Sequence, residues 1–254
     1  MFIFYFLIAF IASTIGAISG IGGGIIIKPV MDAISGLSAS TISFMSGCTV
    51  LSMALFSFIR GLKGEVKLNY AVSIWLAVGA ANGGYIGKSL FSAYTGNIAL
   101  VQSVMLLIIN FLVFIYITNQ GKIKTLTLMN PFLCFVIGLL LGMVSCFLGI
   151  GGGPINIAVL YYFFSMSPKV TAKNSLFIIL FSQVTSFVTT LRTNTVPSFD
   201  TLSLYVMCTG GVIGAIAGLI ASKKMSNNNV ETFFTLVLGG LIMLNTYNVL
   251  QIMM

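Results

Sequence analysis

Two glycine-rich stretches are the residues of this chain whose type and spacing point to a chemical role. Residues 20–24 read Gly-Ile-Gly-Gly-Gly, and residues 149–153 repeat that order, each time inside a long apolar run. Glycine is the poorest helix former after proline, so three in a row predict a break in a helix. A helix that begins after such a break presents backbone N–H groups and a positive dipole end, which bind small anions. The sequence therefore predicts an anion site at the two breaks.

Polar side chains that follow the breaks are candidates to complete this site. A primary amide in hydrocarbon is costly without a partner, which favours Asn156 and Gln183. A single serine more often bonds to its own helix, so Ser43 and Ser175 are weaker candidates that match one another in the two halves. We predict no catalytic residue, no metal ligand and no cofactor. The predicted substrate-binding set is Gly22, Gly23, Gly24, Gly151, Gly152, Gly153, Asn156, Ser43, Ser175, Asn174 and Gln183.

Glycine also has a purely structural use, which is to let two helices approach closely, as in Gly-x-x-x-Gly. We favour that interpretation for two other sets, Gly79/Gly83/Gly87 and Gly210/Gly214/Gly218. For the two triple-glycine stretches we favour a break that lines a site, because non-helical backbone at membrane depth is tolerated only inside protein or beside a polar cavity. A nucleotide-binding loop is a poorer alternative, since no Gly-Lys-Ser/Thr follows.

The composition requires a membrane. Of 254 residues, 58% are hydrophobic and 6% are charged, against about 25% charged in a soluble domain. The net charge of +8 is not clustered, so it indicates positive-inside topology and contact with anionic lipid, not nucleic-acid binding. We expect a multi-pass protein of the cytoplasmic membrane, and we leave open whether it forms a homo-oligomer.

The chain repeats itself beyond the glycines. Gly149 follows Gly20 by 129 positions, and Ser175 follows Ser43 by 132. We therefore predict an all-α fold of two repeats, residues 1–118 and 131–254, joined by a loop at 119–130. Each repeat would be a glycine-broken, re-entrant helix followed by three transmembrane helices. The apolar segments fall at Phe2–Ile27, Thr41–Ile59, Tyr70–Ile86, Ile98–Ile117, Pro131–Ile150, Ser175–Leu191, Leu202–Ile220 and Glu231–Met254.

The basic residues favour re-entrant hairpins over eight full crossings. Eight crossings would divide the twelve basic residues evenly between the two faces, against the positive-inside rule. Two hairpins and six spans instead place nine on one face: Arg60, Lys63, Lys67, Lys122, Lys124, Lys169, Lys173, Lys223 and Lys224. The other face keeps Lys28, Lys88 and Arg192. Each half then crosses an odd number of times, so we expect the halves to be inverted.

The duplicated Gly-Ile-Gly-Gly-Gly, the Pro154 that follows its second copy and the Ser175-Leu176 pair resemble the TauE/SafE-type sulfite exporter family over essentially the whole chain. The resemblance implies a carrier of sulfite, sulfonates or related organosulfur anions, with the motif positions at 20–24, 149–154 and Ser175. Asn174 stands where the family pattern has Thr and Lys173 where it has Gly, which leaves the substrate open.

Three functions remain to be weighed. A secondary carrier of small anions, moved by rocking one repeat against the other, fits the matched breaks. Whether transport is coupled to a proton or ion gradient is left open, because the chain has no histidine and its carboxylates lie near segment ends. An intramembrane enzyme fits worse, since acid–base chemistry lacks a histidine or a buried carboxylate pair. A membrane scaffold or assembly factor that transports nothing is the remaining alternative, and ligand-induced stabilisation by sulfite-like anions would separate it from a carrier.

Overall fold

The computed structural model describes residues 2–61 and 70–253, in which the chain forms ten α-helices. Lys63 and Lys67, which the charge count used, lie outside these residues, as do Met1 and Met254. A short 3-10 turn at Gln120–Lys122 lies within the predicted linker, residues 119–130. The helices are α1 (Phe2–Ser19), α2 (Gly24–Ile34), α3 (Ala39–Gly61), α4 (Tyr70–Ala93), α5 (Ile98–Asn119), α6 (Pro131–Phe147), α7 (Pro154–Phe164), α8 (Pro168–Arg192), α9 (Thr201–Lys224) and α10 (Asn227–Met253).

Both predicted helix breaks are confirmed. The first apolar run stops at Ser19 and resumes at Gly24, and the second stops at Phe147 and resumes at Pro154. The backbone reverses direction through left-handed conformations, with φ of +80° at Gly20 and +68° at Gly149, which residues with a Cβ rarely adopt. Pro154 takes the first position of α7, where its missing N–H leaves no hydrogen bond unmade.

The second arm of each break ends near the start of the first arm. Met31, near the end of α2, packs in one apolar cluster with Tyr5 and Ile8, near the start of α1. In the second half, Phe164 at the end of α7 shares a cluster with Cys134 at the start of α6. Each pair of arms therefore runs antiparallel. With 11 residues each, α2 and α7 are shorter than the roughly 20 residues that a membrane crossing needs.

The two Gly-x-x-x-Gly helices each pack against the first arm of the other half. A Cβ on any of these glycines would meet a backbone carbonyl of the facing helix, so the helices touch backbone to backbone. The packing interpretation of both glycine sets is thus confirmed, and the contact crosses between the halves. Gly79, Gly83 and Gly87 of α4 face the carbonyls of Phe135, Leu139 and Met143 in α6, while Gly210, Gly214 and Gly218 of α9 face those of Phe6, Phe10 and Thr14 in α1.

Six helices in the described part of the chain are long and apolar enough to cross a membrane: α1, α3, α5 extended to Lys122, α8, α9 and α10. The all-α membrane class is confirmed. The membership differs from the prediction, since α1 belongs to this set and α4 does not. α4 has 24 residues, but it carries Asn82, Lys88 and four glycines. The inverted relation of the halves stays a prediction.

Candidate functional site

The two glycine stretches meet inside the protein, and we call residues 20–24 and 149–153 together the glycine crossing. The Cα of Gly24 abuts the carbonyl of Ile150, where a Cβ would clash with backbone atoms. A Cβ on Gly152 would lie 3.4 Å from the carbonyl oxygen of Ile21, so the contact is reciprocal. Every residue from Gly20 to Gly24 and from Ile150 to Gly153 is buried. The predicted glycines are therefore brought together.

Apolar side chains fill the space beside the crossing. Val50 of α3 packs against Gly24 and Gly151, and Ile179 of α8 packs against Gly22 and Gly152. The α2 and α7 N-termini also approach one another, because a Cβ on Gly153 would lie 3.7 Å from Cδ1 of Ile25. The crossing itself is closely packed, and the cavities that contain polar groups lie on either side of it.

The two predicted serines each reach the glycine stretch of the other half. Ser175 in α8 donates a hydrogen bond of 2.6 Å to the carbonyl oxygen of Gly20. Ser43 in α3 packs against Gly149, but its hydroxyl is buried and makes no hydrogen bond. The two equivalent positions therefore both hold a serine, but only the Ser175 hydroxyl makes a hydrogen bond.

A small cavity of about 30 Å³ opens on the Ser43 side of the crossing, and we call it the tight cavity. Helices α3, α4 and α8 and the second glycine stretch surround it. By the ~10–15 Å³ that one water-sized group needs, it has room for about two. Its lining residues are Ser43, Phe44, Gly47, Cys48, Lys88, Phe91, Cys146, Gly149, Gln183, Ser186, Phe187 and Thr190.

Gln183 is the predicted amide that joins this cavity. Its Nε2 group donates to the sulfur of Cys146 at 3.5 Å, a weak acceptor that leaves the amide poorly satisfied. Opposite stands Lys88, which is 8% exposed and whose Nζ lies 4.6 Å from the centre of the Phe91 ring. A cation above an aromatic face is attracted to it, which helps to hold this ammonium group in place.

The two predicted asparagines lie elsewhere. Asn174 accepts a hydrogen bond from Ser73 of α4 and donates one of 2.8 Å to the carbonyl of Val170, so its amide joins two helices. Asn156 of α7 is 1% exposed, and neither its amide nitrogen nor its oxygen has a hydrogen-bond partner. Neither residue lines the tight cavity.

A second, larger cavity of about 450 Å³ opens on the Ser175 side of the crossing, and we call it the wide cavity. Its floor is apolar, with Ala17, Leu176 and Leu219. Four basic residues also line it: Arg60, Lys169, Lys173 and Lys223. These four belong to the nine residues that the charge count placed on one face. The Nζ of Lys173 donates a hydrogen bond of 2.7 Å to the carbonyl of Gly61.

Sequence reasoning missed Lys88, and with it Cys48, Cys146 and Ser186. The charge count from the sequence places Lys28 and Lys88 on one membrane face, but both side chains are buried. Lys28 pairs with Asp32 at 2.8 Å, whereas Lys88 faces the tight cavity. The available signal was that apolar Leu90 and Phe91 follow Lys88, so the helix continues beyond the predicted end at Ile86.

Apolar helices of spanning length around a pair of broken helices define a multi-pass membrane transporter. The family model for sulfite exporter TauE/SafE matches residues 5–244, and the chain belongs to this family. It is also similar to the probable membrane transporter protein YunE of Bacillus subtilis (strain 168), with 24% identity over 264 residues that cover 93% of this chain and 94% of YunE. No solved structure matches the chain significantly. The protein is thus a multi-pass protein of the cell membrane.

Proposed function

We propose that this protein is a secondary transporter that carries small anions across the cytoplasmic membrane by alternating access between its two repeats. The substrates we propose are sulfite, sulfonates or related organosulfur anions, in line with the name of the family. We propose a carrier and no catalytic activity. The observation that carries the proposal is the glycine crossing, where two broken helices contact each other with a cavity on either side.

The pairing of helices suggests which parts would move. The contacts of α4 with α6 and of α9 with α1 are backbone to backbone, and such close surfaces resist sliding. We therefore expect two rigid bodies, one containing α1 and α9 and the other containing α4 and α6, each assembled from both repeats. Rocking of one body against the other would open the tight cavity as it closes the wide one.

The proposal assigns a role to each of the predicted site residues. Gly22, Gly23, Gly24, Gly151, Gly152 and Gly153 would form the pivot, and Ser43, Ser175 and Gln183 would contact the substrate as it passes. Asn156 is retained as a candidate because an amide buried without partners is costly unless a ligand or a second conformation satisfies it. Asn174 would serve packing, since Ser73 and Val170 already occupy its amide.

Flux measurements in proteoliposomes test this function. We expect saturable uptake of sulfite by liposomes that contain the protein and none by empty liposomes. Replacing both Gly23 and Gly152 by leucine should abolish flux, because Gly23 packs against Ser13 and Gly152 against Ile179. The matched control is leucine at both Gly239 and Gly240 of α10, which have open space beside them and should keep the flux.

Two results would contradict the proposal. Flux equal to wild type in the Gly23→Leu/Gly152→Leu protein would show that the crossing takes no part in transport. No flux of sulfite or of a sulfonate, together with no shift in melting temperature when either anion is added, would favour a scaffold that transports nothing.

A further inference from the structure

We infer that Lys88 is the residue that binds the negative charge of the transported anion, in the tight cavity beside the second glycine stretch. This inference rests on the proposed function and assigns the charge-binding ligand of its site. It places the anion against a side-chain ammonium of α4, whereas the sequence predicted backbone groups of the broken helices.

Lys88 is a buried cation that the described residues leave without a counter-ion. The side chain is 8% exposed, and among residues 2–61 and 70–253 the one ion pair joins Lys28 to Asp32. Two more carboxylates are engaged elsewhere, Asp200 by Ser203 and Glu231 by Gln120. Burying a charge without a partner is costly, because the charge loses its hydration and gains no compensating interaction. An intramembrane lysine of this kind is expected to meet a ligand.

The groups around Lys88 donate hydrogen bonds and do not repel an anion. The Ser43 hydroxyl is buried with no partner, and the Gln183 amide nitrogen has only the Cys146 sulfur. No aspartate or glutamate is among the described residues that line the cavity. An ammonium, a free hydroxyl and a weakly bonded amide nitrogen form a set that suits a compact oxyanion, because charge-assisted hydrogen bonds are the strongest that such a ligand makes.

The position of the cavity links this charge to the moving parts. Lys88 belongs to α4, next to Gly87, which packs on the carbonyl of Met143 in α6. Gly149 of the same hairpin lines the cavity beside Ser43 of α3. An anion held by Lys88 would therefore contact the α4–α6 body and also α3, whose Thr49 packs against Gly211 of α9 in the other body. Its binding can thus favour one arrangement of the two bodies over the other.

Titration of the purified protein with sulfite, at constant ionic strength set by potassium chloride, tests this inference. Lys88→Met keeps the length of the side chain and removes the charge. We expect it to raise the Kd for sulfite at least about tenfold, since a hydrogen bond to a charged group contributes 1.5–3 kcal/mol. Lys88→Arg should keep part of the affinity. Lys124→Met removes a charge from the exposed linker and should leave the Kd within about twofold of wild type.

Thermal unfolding without sulfite separates a binding role from a structural one. If Lys88 serves to bind a ligand, the Lys88→Met protein should melt at the same temperature as wild type or higher, because a buried unpaired charge has been removed. A lower melting temperature with unchanged sulfite affinity would make Lys88 a structural residue and overturn the inference.

The remaining outcomes distinguish the inference from the proposed function. Wild-type affinity for sulfite in Lys88→Met, with flux intact, would refute the role of Lys88 and leave the transport proposal standing. No sulfite binding or flux in the wild-type protein would refute the proposed substrate, and the assignment of Lys88 as its ligand would fall with it.

Discussion

The tight and wide cavities lie on opposite sides of one crossing and are built from equivalent positions of the two halves. Phe44 lines the first and Leu176, 132 positions later, lines the second. Lys88 likewise corresponds to Leu219, 131 positions later. The tight cavity thus holds a buried cation where the wide cavity has a leucine. Positions that the sequence offset relates therefore differ in binding chemistry.

The charges of the two cavities also differ in exposure. Arg60 and Lys223 of the wide cavity are exposed, whereas Lys88 of the tight cavity is buried. An exposed charge attracts an anion over a distance that salt screens, and a buried charge binds it at contact with little screening. In the proposed transport cycle the wide cavity would gather anions and the tight cavity would hold one.

The largest effect is expected from substitutions of the last glycine in each stretch, Gly24 and Gly153. Gly24→Ala should destabilise the protein by about 1–3 kcal/mol and lower flux, because the new methyl group would meet the backbone of Ile150. Gly153→Ala should cost less than about 1 kcal/mol, since its nearest neighbour is the movable end of the Ile150 side chain, 3.0 Å from the added Cβ. Chemical unfolding in detergent measures both. Equal losses would mean that the two glycine stretches are packed alike.

The next effect separates the two equivalent serines. Ser175→Ala should cost about 1–3 kcal/mol, because it leaves the buried carbonyl of Gly20 without its donor. Ser43→Ala should leave stability nearly unchanged, because its hydroxyl has no hydrogen-bond partner to lose. The measurement is the melting temperature without ligand, followed by the Kd for sulfite. A loss of stability in Ser43→Ala as large as that in Ser175→Ala would contradict the asymmetry.

The smallest effect concerns the basic residues that line the wide cavity. Lys223→Met should raise the KM for sulfite flux by about two- to fivefold at low ionic strength, the size of a surface charge interaction, and leave kcat unchanged. Added salt should erase the difference, because exposed charges are screened. The effect of Lys88→Met should persist in the same salt. If added salt removes the effects of both Lys223→Met and Lys88→Met, the wide cavity does not attract anions while the tight cavity binds them.

Much of the fold could be predicted from local sequence. The breaks follow from three glycines in a row, and the observed ends at Ser19 and Phe147 lie next to them. The two Gly-x-x-x-Gly sets were correctly interpreted as packing surfaces. Less of the site could be predicted. The sequence favours Asn174 as a ligand because it follows the second glycine stretch, and it does not predict that Ser73, 101 positions away in the chain, donates a hydrogen bond to its amide oxygen.

The sequence by itself determined where the helices break, which helices have surfaces smooth enough for close packing and that the chain belongs in a membrane. These properties depend on backbone propensity and on composition, which act within a few residues. Only the tertiary structure decided that each glycine-lined helix packs on the hairpin of the other half, and that Lys88 turns into a cavity while Leu219 takes its place on the other side. Those outcomes depend on contacts between residues that are distant in the chain, and no local pattern records them.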